Sequence, residues 1–225
     1  MRPIIYITLI FAPLVIMVMY GYFSRRQNTS YTGLLLKSYA WGMLAALILI
    51  AALILSQYLG LNDLRNLKRS IFFSFVTIGF SAELGKFLIT RYLIIPKKQI
   101  DRPIDAITFS ISVAMGFATI GLLVFLTNII PIKNLYPYTL LSLIYIPANI
   151  LFAVILGFFL GMSKFFKNRI IYSICGLFCT TFFHGIFTFC LVTHDFKLLS
   201  LFAFGCTVIV FILGLKAAYT RIEAS

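Results

Sequence analysis

The sequence predicts an all-α membrane protein, a polytopic transmembrane helical bundle of about seven spans, and three observations carry that prediction. Of the 225 residues 61% are hydrophobic and only 11% are charged, too little charge to cover the surface of a soluble domain of this size. The mean hydropathy is +1.03. Apolar runs long enough to cross a hydrocarbon core of ~30 Å, which takes about 20 helical residues, recur from one end of the chain to the other.

Taken in order, the runs fall at 3–23, 34–59, 71–95, 104–130, 138–162, 170–192 and 198–219. The first has only Arg2 ahead of it and no small-x-small cleavage site, so it is expected to stay as a span and not to be removed as a signal peptide. The second is uninterrupted by charge beyond Lys37. The third carries an acid and a base, Glu83 and Lys86, inside "FSAELGKFLITRYL". The fourth is the longest and is expected to tilt or break near Gly116 and Gly121. The fifth holds Asn149 and the pair Gly157 and Gly161, and the sixth holds His184 and Thr188. Ser81 with Gly85, and Gly157 with Gly161, stand four residues apart, a spacing that lets helix backbones approach closely. No internal repeat, low-complexity tract or long linker divides the chain, so residues 1–225 are expected to form one integral membrane domain.

The formal charge of +13 does not point to nucleic acid in so apolar a chain, because loop Lys and Arg serve topology and face anionic headgroups. Twelve basic residues fall on the side holding the first, third and fifth connections and the C-terminus; six fall on the other, and Lys86 is the nineteenth. The excess of basic residues on cytoplasmic loops then puts the N-terminus outside and the C-terminus in the cytoplasm, although Arg65, Lys68 and Arg69 in the second connection pull the other way. Cys175, Cys179, Cys190 and Cys206 lie in apolar segments without the paired spacing of a zinc site, and are expected to be small core residues.

Ionisable residues within spans are costly and mark functional sites by default. Here they are Glu83, Lys86 and His184, with Asn149 and Thr188 as neutral polar companions. Residues 83 and 86 lie about 60° apart around a helix, and 184 and 188 share a face in the same way. Two readings stand side by side. One is a shared polar pocket built from spans three, five and six; the other is an internal ion pair with three interhelical hydrogen bonds. One His and one carboxylate do not close a zinc site, which takes three or four protein ligands, so neither a metal nor any other cofactor is expected.

The order of these blocks resembles the PrsW family of intramembrane proteases, relatives of the CAAX-processing endopeptidases and of glutamic-type intramembrane peptidases. "APLVIMVMYGYFSRRQ" with "LLLKSYAWGMLAAL" is similar to the family's first two spans, and "AELGKF" stands where the family has Glu-Glu-x-x-Lys. "DRPIDAITFSISVAMGFATIGLL", "PANILFAVILGFFLG" and "FHGIFTF" resemble the fourth-, fifth- and sixth-span blocks. The resemblance implies a catalytic glutamate at position 82, where this chain has Ala82. It implies a further glutamate at Gly121, a histidine at Asn149 and an aspartate at Thr188. Glu83, Lys86 and His184 are retained. Such enzymes need a general base beside a water and donors aimed at developing charge. Glu83 is about 100° further round the helix than residue 82, so taking over that role would need the span to rotate.

Three functions are expected on these grounds. The first is a PrsW-like homologue that has lost catalysis and serves as a membrane-embedded binding, assembly or regulatory subunit, since members of a catalytic set act as a unit. The second is an active glutamic-type intramembrane protease working with Glu83 and His184, with Asn149 as an oxyanion donor. The third is a small transporter or channel, because buried acids and bases also mark ion paths. The partners expected are the lipid bilayer and other membrane proteins or transmembrane segments. The resemblance implies a bacterial inner (cytoplasmic) membrane location.

Overall fold

A computed structural model describes residues 2–25, 29–62, 64, 66–127 and 138–220. They form seven helices in chain order: α1 (Arg2–Ser24), α2 (Thr29–Tyr58), α3 (Leu67–Ile94), α4 (Pro103–Thr127), α5 (Tyr138–Phe165), α6 (Arg169–Thr193) and α7 (Phe196–Tyr219). No strand occurs among the described residues. Six of these helices are long and apolar enough to cross a membrane, and the apolar part of α1, Ile10–Ser24, is shorter. The chain is a multi-pass membrane protein whose apolar helix faces meet lipid. Residues 128–130 of the expected fourth span lie outside the described residues, as do Arg26, Arg65, Lys133 and Arg221 among the residues weighed for topology.

Local chemistry sets the helix ends. Gly60, at φ +66, comes just after α2, and Leu61 N–H donates to Ser56 O at 2.9 Å. The left-handed backbone this turn needs carries no steric cost for glycine. Asn66 caps α3 by accepting from Lys68 N–H at 3.0 Å, and Asp195 caps α7 by accepting from Leu198 N–H at 2.9 Å. Each satisfies an amide that the first helical turn leaves without a partner.

α4 and α5 pack most extensively on each other; α2 lies against α4, and α6 against α5 and the first half of α3. In the most apolar stretch of each helix 67% is buried for α4 and α5, but only 6% for α7. α7 is therefore peripheral, touching the bundle through residues such as Cys206 and Ala217. α4 does not break at its glycines as the sequence suggested; it runs unbroken from Pro103 to Thr127. Gly116 lies against the Tyr39 carbonyl of α2, and Gly42 of α2 against the Val113 carbonyl of α4, each too close to admit a Cβ. These glycines are crossing points between backbones. Gly157 and Gly161 meet the expectation of close approach: a Cβ there would sit 2.7 Å from Ile107 Cα and 3.0 Å from Pro103 Cα.

α3 is composite. Leu67–Phe72 and Ser81–Leu88 are α-helical, whereas Phe73–Phe80 and Ile89–Ile94 are π-helical. A π turn shifts hydrogen bonds from i−4 to i−5 and so accommodates extra residues. Each one rotates the downstream part of the helix by about 100° relative to a continuous α-helix. The short α segment carrying Glu83 and Lys86 is bracketed by two such rephasing stretches.

Candidate functional site

The α segment Ser81–Leu88 presents Glu83 and Lys86 one turn apart, and both point inward. Glu83 Oε1 lies 2.6 Å from Lys86 Nζ and 2.7 Å from His184 Nδ1 of α6. Lys86 Nζ also donates to Asn149 Oδ1 of α5 at 3.0 Å, and Asn149 Nδ2 donates to the Tyr145 carbonyl at 2.9 Å. α3, α5 and α6 thus supply a continuous chain of polar contacts at the heart of the bundle. Glu83 and Asn149 are 0% exposed, and Lys86 and His184 1%, so the cluster is sealed from lipid and from water.

Aromatic rings close the remaining sides. Phe152 of α5 stacks on the His184 ring with centroids 4.8 Å apart and planes 26° from parallel. The Lys86 ammonium stands 5.0 Å above the Phe117 ring of α4 and 5.8 Å from that of Phe152. Ring faces are electronegative, so they replace part of the hydration that burial removes from the ammonium.

At the positions where the family pattern expects other side chains, the bundle has closed up. Ala82 is fully buried beside Glu83. Gly121 of α4 faces the Tyr145 hydroxyl, which fills the space a Cβ at 121 would need. Asn149 has become the acceptor for Lys86. Thr188, one turn beyond His184, lines a small cavity with Tyr145, His184, Phe125 and Phe187. That cavity offers about 10 Å³ to the centre of a water, close to the least that holds one. Two oxygens in this region have no hydrogen-bond partner among the described residues, Glu83 Oε2 and the Tyr145 hydroxyl.

Sequence reasoning named Glu83, Lys86, His184, Asn149 and Thr188; the structure links the first four by polar contacts, while Thr188 shares only a cavity wall with His184. That reasoning missed Tyr145, Phe117 and Phe152. Tyr145 was findable, since it lies one helical turn before Asn149 and so on the same face; the two phenylalanines are indistinguishable by type from the chain's 24. Of the cysteines, Cys190 and Cys206 are buried, but Cys175 is exposed on the outer surface of α6, against the expectation of a core position. A polarisable, weakly polar thiol is as much at home against lipid as in a core.

No group of three or more His, Cys, Asp or Glu side chains converges among the described residues, and the two that do meet share their contact oxygen with an ammonium, which repels a cation. Zinc takes at least three protein ligands. The arrangement can hold a carboxylate between two donors; Oε1 of Glu83 is spent on both, and Oε2 alone remains to accept a proton.

Comparison with known proteins finds one family. Residues 31–215 match the family described as PrsW family intramembrane metalloprotease. The chain is similar to "Protease PrsW" of Clostridioides difficile, 29% identical over 161 residues covering 70% of this chain and 67% of the relative. It is 26% identical to "Protease PrsW" of Bacillus subtilis over 183 residues, 80% of this chain and 79% of the relative. It is also 26% identical to "Protease PrsW" of Geobacillus kaustophilus over 123 residues, 54% of this chain and 53% of that relative, so here it spans about half the relative's length. No solved structure matches significantly.

Proposed function

The chain belongs to the PrsW family of intramembrane proteases, and from that premise we propose that it is a non-catalytic member, a membrane-embedded subunit that binds a transmembrane segment without cutting it. The observation that carries the reading is the Tyr145 hydroxyl over Gly121. Where the family pattern puts a carboxylate, this chain has removed the side chain and a phenol from α5 fills the space. The other replacements agree: Ala82 brings no base, and the Asn149 amide oxygen accepts from Lys86. The Glu83–Lys86 pair then serves as a buried structural tie.

The test is reconstitution of the purified chain in liposomes with single-span membrane substrates. No cleavage product is expected from the wild type. Ala82→Glu, Gly121→Glu, Asn149→His and Thr188→Asp together, with Tyr145→Ala to clear the space, are expected to yield cleavage above the wild-type background. Wild-type cleavage that disappears in Glu83→Gln would overturn the proposal.

A second reading has its own observation. His184 Nδ1 and Glu83 Oε1 are in direct contact at 2.7 Å, a separation typical of an acid–base couple. In that reading Glu83 and His184 are the catalytic pair and Asn149 is an oxyanion donor. It requires cleavage to be lost in both Glu83→Gln and His184→Ala while the protein stays folded.

The proposal extends to location. A bacterial cytoplasmic membrane with the N-terminus outside and the C-terminus inside is supported by the family and by the basic excess on one side. A fluorescent protein fused after residue 225 is expected to mature, and alkaline phosphatase fused there to stay inactive; the reverse pattern would invert the topology.

A further inference from the structure

A second site lies at the end of the bundle that carries the α1–α2 and α3–α4 connections. There α2 and the end of α3 border a groove of about 850 Å³, within the range of small-molecule sites. Its chemistry is divided. One end is basic and polar, with Lys37, Lys97 and Gln99; the other is apolar, with Leu93, Ala40 and Trp41. Among the described residues no acidic side chain lines it.

The basic end is built and held. Ile95 and Ile100 are buried at 2% and 1% exposure, pinning the α3–α4 connection at both ends. Lys164 of α5 donates to the Lys97 carbonyl at 2.8 Å and to the Ile100 carbonyl at 2.9 Å. On the other flank, Gln99 Nε2 donates to Ser30 Oγ of α2 at 2.5 Å. The backbone that bears Lys97 is therefore fixed from two sides before any ligand arrives. Binding then has only the exposed lysine side chains to order, not the segment that carries them.

We propose that this groove is a binding site for an anionic phospholipid, its phosphate held between Lys37 and Lys97 and an acyl chain lying along Trp41 and Leu93. Charge complementarity selects an anionic headgroup over a zwitterionic one, since each lysine near a membrane surface favours anionic lipid. The apolar half, set on the flank of two spanning helices, selects a lipid over a soluble anion. The site is separate from the Glu83 cluster and does not depend on whether that cluster is catalytic.

Trp41 is the chain's only tryptophan, so its fluorescence reports this groove alone. The protein is reconstituted in vesicles of phosphatidylcholine and phosphatidylglycerol, with bromine on the acyl chains of one lipid at a time. Brominated phosphatidylglycerol is expected to quench Trp41 in preference to brominated phosphatidylcholine. In Lys37→Gln/Lys97→Gln the preference should fall by on the order of tenfold. Lys68→Gln/Arg69→Gln, at the opposite end of α3, should keep it. Equal quenching by the two lipids in the wild type would mean ordinary boundary contact and overturn the proposal. So would an equal loss in the Lys68/Arg69 variant, which would mean a general charge effect. Inorganic phosphate added alone should leave the quenching unchanged; relief of quenching would make this a soluble-anion site and defeat the lipid assignment.

Discussion

Without the Lys86 ammonium, the Glu83 carboxylate would keep His184 as its one donor in a site with no exposed surface. Breaking a buried pair from one side typically costs about 3–5 kcal/mol, whereas replacing both partners by apolar or neutral groups is often close to neutral. Lys86→Met is therefore expected to lower the thermal denaturation midpoint in detergent sharply, and Glu83→Gln/Lys86→Met to recover much of the loss. Strictly additive effects would mean that the two side chains do not act as a pair. Their meeting was legible, because three residues is less than one helical turn and the two types attract. The His184 contact was not, since it joins positions 101 apart in sequence and depends on how α3 and α6 pack. Tyr145 shares a face with Asn149, but its place over Gly121 was not legible, because that space is defined by a side chain missing from another helix.

Helix positions were readable because each apolar run has the length of a bilayer core; which face turns inward was not. In membrane helices apolar residues serve both lipid and core, so periodicity carries little information. Small residues carry more, as Gly157 and Gly161 did. Gly42 and Gly116 show the limit: the sequence marks a glycine but not whether it bends a helix or admits a neighbour. Gly116→Val is expected to force α2 and α4 apart and to abolish a monodisperse elution profile. Gly205→Ala on α7, where a Cβ meets nothing within 4 Å, should be tolerated and gain up to about 1 kcal/mol of helix propensity. If both behave alike, the α2–α4 crossing is not backbone-limited. Nothing in "FSFVTIGF" announces π-helix. Its constituents are ordinary apolar residues, and the wider turns arise where packing of α3 against α6 governs the backbone.

Seven helices around a polar centre are legible from composition and order alone; the placement of α4 and α5 in the middle is not, because their mean hydropathies of 2.2 and 2.4 do not set them apart from α2 at 2.2 or the peripheral α7 at 2.6. The outer position of α7 has a measurable consequence. Leu201, Phe204 and Phe211 are 69%, 71% and 65% exposed and should accept other apolar residues with no change in thermal stability. Phe204→Asp should instead disfavour insertion by roughly 2.5–3.5 kcal/mol, the cost of a charge near a helix centre. Glycosylation-based insertion assays would measure it. Unimpaired insertion would mean that this face of α7 meets protein or water.

The one-turn spacing of Glu83 and Lys86 also bears on how the chain is made. Membrane helices emerge from the ribosome in order, and α3 leaves about a hundred residues ahead of His184. During that interval the carboxylate has no imidazole to meet, and for the first 63 residues after Lys86 there is no Asn149 to receive the ammonium. The ion pair lies within α3 itself, so the Ser81–Leu88 stretch carries no net charge before any other helix is present. Lys86 in this sense escorts Glu83 through translocation, and α6 completes the arrangement only once it arrives.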